Sequence, residues 1–109
     1  MEMTKDKIKI LTDLKRKLSA RLKGNLVDVV LFGSQLSDSI NEDSDYDILI
    51  IVKNRTDWKL EREISDLCYD IELAYGILTD THILSESELE SPRGKQPIFI
   101  NAIEQGFYV

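Results

Sequence analysis

Leu26-Val27-Asp28-Val29-Val30-Leu31-Phe32-Gly33-Ser34, then the ten residues Gln35 to Ser44, then Asp45-Tyr46-Asp47-Ile48-Leu49-Ile50-Ile51-Val52: this stretch decides the fold. Both of its apolar, β-branched runs read as buried strands. The first strand ends in Gly33-Ser34, where the chain must turn sharply, and glycine permits the close approach and unusual dihedrals of such a turn. The second strand, Asp45 to Lys53, opens with two aspartates flanking Tyr46. Side chains alternate across a strand, so Asp45 and Asp47 project from one face. Two carboxylates on one face repel unless a cation sits between them or they take up protons. A divalent metal resolves this most simply, and hard oxygen ligands favour magnesium or manganese. A short helix after Gly33-Ser34 would aim free N–H groups at the space above the strand end, an arrangement that binds phosphate, and Ser34 would add a hydroxyl. Alone, Gly-Ser is an ordinary strand-ending turn. Paired with Asp45 and Asp47 at this spacing, it reads as a phosphate grip. Asp28 reads as an edge-facing or strand-start carboxylate, with a role in the site as the lesser reading.

Outward from this stretch the chain alternates helix and strand signals. Ile8, Leu11, Leu14, Leu18 and Leu22 recur at helical steps over Lys5 to Lys23, with Gly24-Asn25 as a stop. After the second strand, Thr56 or Asp57 can cap a helix that runs to about Tyr75, where Gly76 stops it. Cys68 on the apolar face of that helix reads as a small core residue. Trp58 fits a lid on the core or an interface equally well. Ile77 to Leu84 reads as a third strand that carries Asp80 and His82 on one face. His82 reads as a base, as a substrate contact or as a half-exposed strand histidine. Ser85 to Glu90 reads as a capped turn or short acidic helix. Pro97 starts a last helix with Gly106 as its stop. Phe107-Tyr108-Val109 reads as a short strand added to the sheet, or as part of an apolar partner surface. The loop carboxylates Asp38, Glu42 and Asp43 read as solvated. The order helix, strand, strand, helix, strand, helix predicts an α/β (α+β) fold, a mixed β-sheet with helices packed on it.

Composition narrows the function. The 109 residues suit one compact domain, and 20 acidic against 14 basic side chains give a net charge of −6. That balance argues against a dedicated nucleic-acid binder, whose affinity rests on neutralising phosphates. It leaves a metal-dependent site open, because a bound cation reverses the local field. The single Cys68 rules out an internal disulfide framework and fits a reducing compartment. A charged N-terminus without an apolar signal core, and the lack of a long apolar run, predict a cytoplasmic protein off the membrane. The sequence leaves the oligomeric state open, a homo-oligomer included.

Gly33-Ser34, ten residues, then Asp45-x-Asp47 between two strands resembles the signature of the nucleotidyltransferase superfamily, specifically its minimal bacterial and archaeal members. The resemblance runs from about Lys7 to the end. It implies a single nucleotidyltransferase domain over residues 1–109 and a third carboxylate from the strand after the second helix, which matches Asp80. It implies that Asp45, Asp47 and Asp80 hold magnesium ions (or manganese), that Gly33 and Ser34 grip the phosphates, and that ATP supplies a nucleoside monophosphate to an acceptor hydroxyl. The minimal members commonly work beside a HEPN-domain toxin. The transferase there is the antitoxin, adenylating a tyrosine of its partner or simply binding it. One departure stands out: many relatives follow Gly-Ser with a basic Arg-Ala-Arg-Gly segment, and here the residues are Gln35-Leu36-Ser37-Asp38. Lys53 or Arg55 are candidates to replace that charge. Three competing readings follow: an active transferase acting on a protein hydroxyl, a non-catalytic module that covers a partner, and transfer to a small molecule in a pocket completed by a dimer. A solvated strand-end cluster of aspartates without metal is the bland alternative.

Overall fold

The computed structural model describes residues 5–36 and 45–109, with the backbone alone at Lys5, Ser34 and Leu36. The expectations for Asp38, Glu42 and Asp43 lie outside the described residues. In chain order the elements are α1 (Lys5–Leu22), β1 (Leu26–Phe32), β2 (Tyr46–Val52), α2 (Trp58–Tyr75), β3 (Thr79–Ser85), α3 (Glu86–Leu89), α4 (Pro97–Gln105) and β4 (Phe107–Tyr108). The strands form one mixed sheet in the order β3-β2-β1-β4. β1 lies antiparallel to β2 and to β4, and β3 runs parallel to β2 across the α2 crossover.

Both faces of the central strands are covered, which explains why β1 and β2 are apolar runs rather than alternating ones. On one face Leu11, Leu14 and Leu18 of α1, with Ile64 and Ile71 of α2, pack on Val29, Leu31, Ile48 and Ile50. On the other, Phe99 and Ala102 of α4 pack on Val30, Phe32, Leu49, Ile51 and Leu84. Cys68 is buried in the first core, as expected, and Thr81 Oγ1 donates to its sulfur at 3.4 Å. Burial pushes the Cys68 thiol up, so it stays protonated. The tail adds β4 to the sheet, Val30 opposite Tyr108 and Leu31 opposite Phe107.

Asp57 is the residue that caps α2, accepting from Leu60 N–H at 2.8 Å, and Gly76 closes the helix in the left-handed region at φ 66°. Ser85 and Glu88 form a capping box on α3. The end of α1 differs from expectation. Lys23, not Gly24, takes the left-handed conformation, at φ 53°. The next residues are committed to the sheet: Asn25 C=O accepts from Lys53 N–H, and its side chain accepts from Asn54 N–H. Trp58 is 67% exposed, so it is no lid on the core. No described helix is long and apolar enough to cross a membrane.

Candidate active site

The site is built at the end of the sheet where β1 stops and β2 begins. In the antiparallel register Phe32 faces Asp47, so the chain leaves β1 beside that aspartate. In the parallel register Asp47 faces Asp80. Asp47 shares the sheet face of Leu49 and Ile51, and Asp80 shares that of His82 and Leu84. Both carboxylates therefore sit on the α4 side, beyond the apolar cluster around Phe99.

Gly33 lets the turn pass close to Asp47. Its φ is 78°, in the left-handed region. A Cβ at this position would overlap Asp47 Oδ2 and stand 3.1 Å from Asp47 Cγ. Only a residue without a side chain leaves that carboxylate in place. The following four-residue turn, Gly33–Leu36, is a 3₁₀ helix. Gln35 within it is buried, and its carbonyl accepts from Lys7 Nζ at 2.9 Å. An ammonium group from α1 thus stands where the expected basic segment is missing. Periodicity gave no signal for Lys7, because its place depends on how α1 lies across the sheet. Lys53 and Arg55 follow the far end of β2, past Val52, so the length of the strand separates them from Asp47.

Desolvation raises the Asp47 carboxyl above its ordinary range, and the charge of Asp80 raises it further. His82 opposes this shift, and Asp45 and a hydrogen bond with Asp80 add to it. A half-buried Asp47 carboxylate against the exposed carboxylate of Asp80 forms a pair of hard oxygen donors that a divalent cation suits. Asp45 is exposed and lies one position ahead of β2. Among the described residues no three His, Cys, Asp or Glu side chains converge on one point as they stand. The structure thus joins Asp47 to Asp80 and leaves Asp45 at the margin. The side chain of Ser34 lies outside the described set. His82 packs between Phe32 and Phe99, with ring centroids at 5.8 and 5.9 Å. Its Nε2 is buried, lies 3.6 Å from Asp80 Oδ2, and makes no hydrogen bond among the described residues. Asp28 lies at the opposite end of β1, beside an irregularity in the register, and takes no part in this site.

Residues 8–104 match the family model described as "Nucleotidyltransferase domain". The chain is 37% identical over 71 residues to "Putative protein adenylyltransferase MJ0141" of Methanocaldococcus jannaschii, covering 65% of this chain and 72% of that relative. It is 30% identical over 89 residues to "Putative protein adenylyltransferase MJ0604" of the same organism, covering 82% of this chain and 83% of that relative. No solved structure matches the chain. The chain belongs to the nucleotidyltransferase domain family.

Proposed function

We propose that this member of the nucleotidyltransferase family transfers AMP from ATP to a hydroxyl on a protein, with Asp45, Asp47 and Asp80 holding magnesium ions at the nucleotide's phosphates. The observation that carries the reading is Asp47 set against Asp80 across the parallel β2–β3 register, under a turn where only glycine fits. The names of the two archaeal relatives support a protein acceptor. The minimal transferases that the sequence resembles point to a HEPN-domain toxin as that acceptor, with this chain as its antitoxin.

When bound, the metal would neutralise phosphate charge and stabilise the attacking and leaving oxygens of an in-line displacement. The chain's own residues prepare for that. Burial and the neighbouring Asp80 raise the Asp47 carboxyl, and a bound cation would offset both. Gly33 brings the backbone of the turn against Asp47, so a phosphate above the strand end would meet the turn and the carboxylates together. Lys7 adds positive charge beside the same turn. Asp80 would take the proton of the acceptor hydroxyl or hold the second ion. The bond formed joins the acceptor oxygen to the α-phosphorus, and pyrophosphate leaves.

The test mixes the protein with its HEPN partner, labelled ATP and magnesium. Label on the partner is expected, and it should vanish when Asp45→Asn and Asp47→Asn are combined. A second reading rests on the exposed apolar residues Ile98, Ile100 and Tyr108 near the C-terminus. There the protein silences its partner by binding alone, and the double substitution leaves silencing intact. Phe99 of the same helix is buried against β1 and β3 and cannot serve as a probe of such a surface.

A further inference from the structure

β3 is an edge strand, and its open backbone groups form a self-complementary set. Leu78 C=O accepts from Tyr46 N–H at 2.9 Å, so even-numbered positions aim their backbone groups at β2 and odd-numbered positions aim away from the sheet. The outward groups at both ends are already engaged. Thr79 N–H donates to Glu72 Oε2 at 2.7 Å, and Ser85 N–H donates to Glu88 Oε1 at 3.0 Å. Ile83 C=O accepts from Arg93 Nη2 at 3.4 Å. Four outward groups between these ends have no partner among the described residues: Thr79 C=O, Thr81 N–H, Thr81 C=O and Ile83 N–H.

We propose that two copies of this chain pair β3 against β3 in antiparallel fashion, about a two-fold axis at Thr81. In that register the two Thr81 residues exchange both of their bonds, and each Ile83 N–H meets the partner copy's Thr79 C=O. All four open groups are consumed, and the positions facing them across the remaining gaps, Thr79 N–H and Ile83 C=O, are those that side chains already satisfy. Shifting the axis to residue 80 or 82 would call on the engaged groups and leave open ones unpaired. The axis at residue 80 would also set Asp80 against Asp80, a like-charge pair that costs stability. With the axis at Thr81, Asp80 of one copy faces His82 of the other. Side chains beside the edge fit the same occupant. Tyr69, Leu73 and Leu78 are 58%, 66% and 62% exposed. Tyr69 lines a groove between α2 and β3 together with Thr79 and Thr81, next to the proposed axis. A second copy would cover these apolar surfaces as it closes the edge. The proposal does not depend on nucleotidyl transfer.

Sedimentation equilibrium on the full chain tests it. The protein should behave as a dimer, twice the 12.5 kDa chain mass. Thr81→Pro removes the central donor at an edge position that tolerates proline, and it should halve the mass while the far-ultraviolet spectrum stays native. Leu73→Arg should weaken the dimer in the same direction. Hydrogen exchange on the unmodified chain keeps the test decisive if Thr81→Pro fails to fold. The Thr81 and Ile83 amides should slow as protein concentration rises, while the engaged Thr79 amide changes little. A monomeric wild type overturns the proposal. So does a dimer that survives both substitutions, or Thr81 exchange that is independent of concentration. A monomer whose Thr81 amide is protected only by an added, unrelated protein assigns the edge to another partner and overturns it too.

Discussion

At Gly33 two constraints coincide, a φ of 78° and an Asp47 carboxylate standing where a Cβ would go. Gly33→Ala should therefore cost about 2–4 kcal/mol in urea unfolding, from left-handed strain plus overlap. Removing the carboxylate as well, in Gly33→Ala with Asp47→Ala, should recover the overlap part and leave the strain, so the two changes will not add. Asp47 carries its own prediction. Its carboxyl is raised in the fold by desolvation and by Asp80, so the folded state holds the proton more tightly than the unfolded state does. Stability is then lost as pH rises from the ordinary carboxylate range through the raised folded value, and it is regained on acidification across the same window. Asp47→Asn should flatten this slope and raise Tm at neutral pH by a few degrees, at roughly 4–8 °C per kcal/mol for a chain of this size, while abolishing transfer. Magnesium should raise the Tm of the unmodified chain, as any ligand selective for the folded state does, and should leave Asp47→Asn unmoved. The spacing places Gly33 and Asp47 at the two ends of one turn, and the family resemblance points to Asp80. Strand alternation also expects Asp45 beside Asp47, but Asp45 lies ahead of β2 at the margin. The Asp47–Asp80 contact and the place of Lys7 were not legible in the sequence, because both depend on which strands and helices become neighbours.

Element ends were readable where their determinants are local. Asp57 caps α2 through its own third-neighbour amide, and Gly76 ends it with a left-handed residue. Asp57→Ala should cost ~1 kcal/mol by thermal or urea unfolding and leave transfer unchanged, because the cap stands at the far end of β2. The end of α1 was not readable, and the reason is tertiary. Gly24-Asn25 carries the usual stop signal, yet the bonds from Asn25 to Lys53 and Asn54 fix where β1 must start. The helix therefore unwinds one residue early, and Lys23 bears the left-handed turn at φ 53°. Lys23→Gly should stabilise the chain by about 0.5–1 kcal/mol, since glycine takes that conformation without a Cβ penalty. An unchanged or lowered midpoint in urea would show that the Lys23 side chain contributes more than its backbone costs.

For the molecule as a whole, the question is what covers the second face of the sheet. β1 and β2 are apolar at nearly every position, which requires cover on both sides. The two long helices, α1 and α2, lie together on one side. The other side is left to the nine-residue α4, whose Phe99 and Ala102 are its buried residues. Read alone, Phe99 belongs equally to a core or to a partner surface, because a short amphipathic helix looks the same in either role. Counting the faces that need cover settles the matter, and the structure agrees: Phe99 is 3% exposed. Its ring also meets His82 edge-on and lies under the Arg93 guanidinium at 5.4 Å. Phe99→Ala should thus cost ~3–5 kcal/mol, the range for a large aromatic removed from a core. The damage should reach His82, whose other ring neighbour is Phe32 at the mouth of the site. The expected signature is a lowered melting midpoint together with a shifted His82 ring resonance. A residue that served only a partner surface would move neither in the isolated protein. The same helix thus closes the core and fixes the floor on which Asp47 and Asp80 stand.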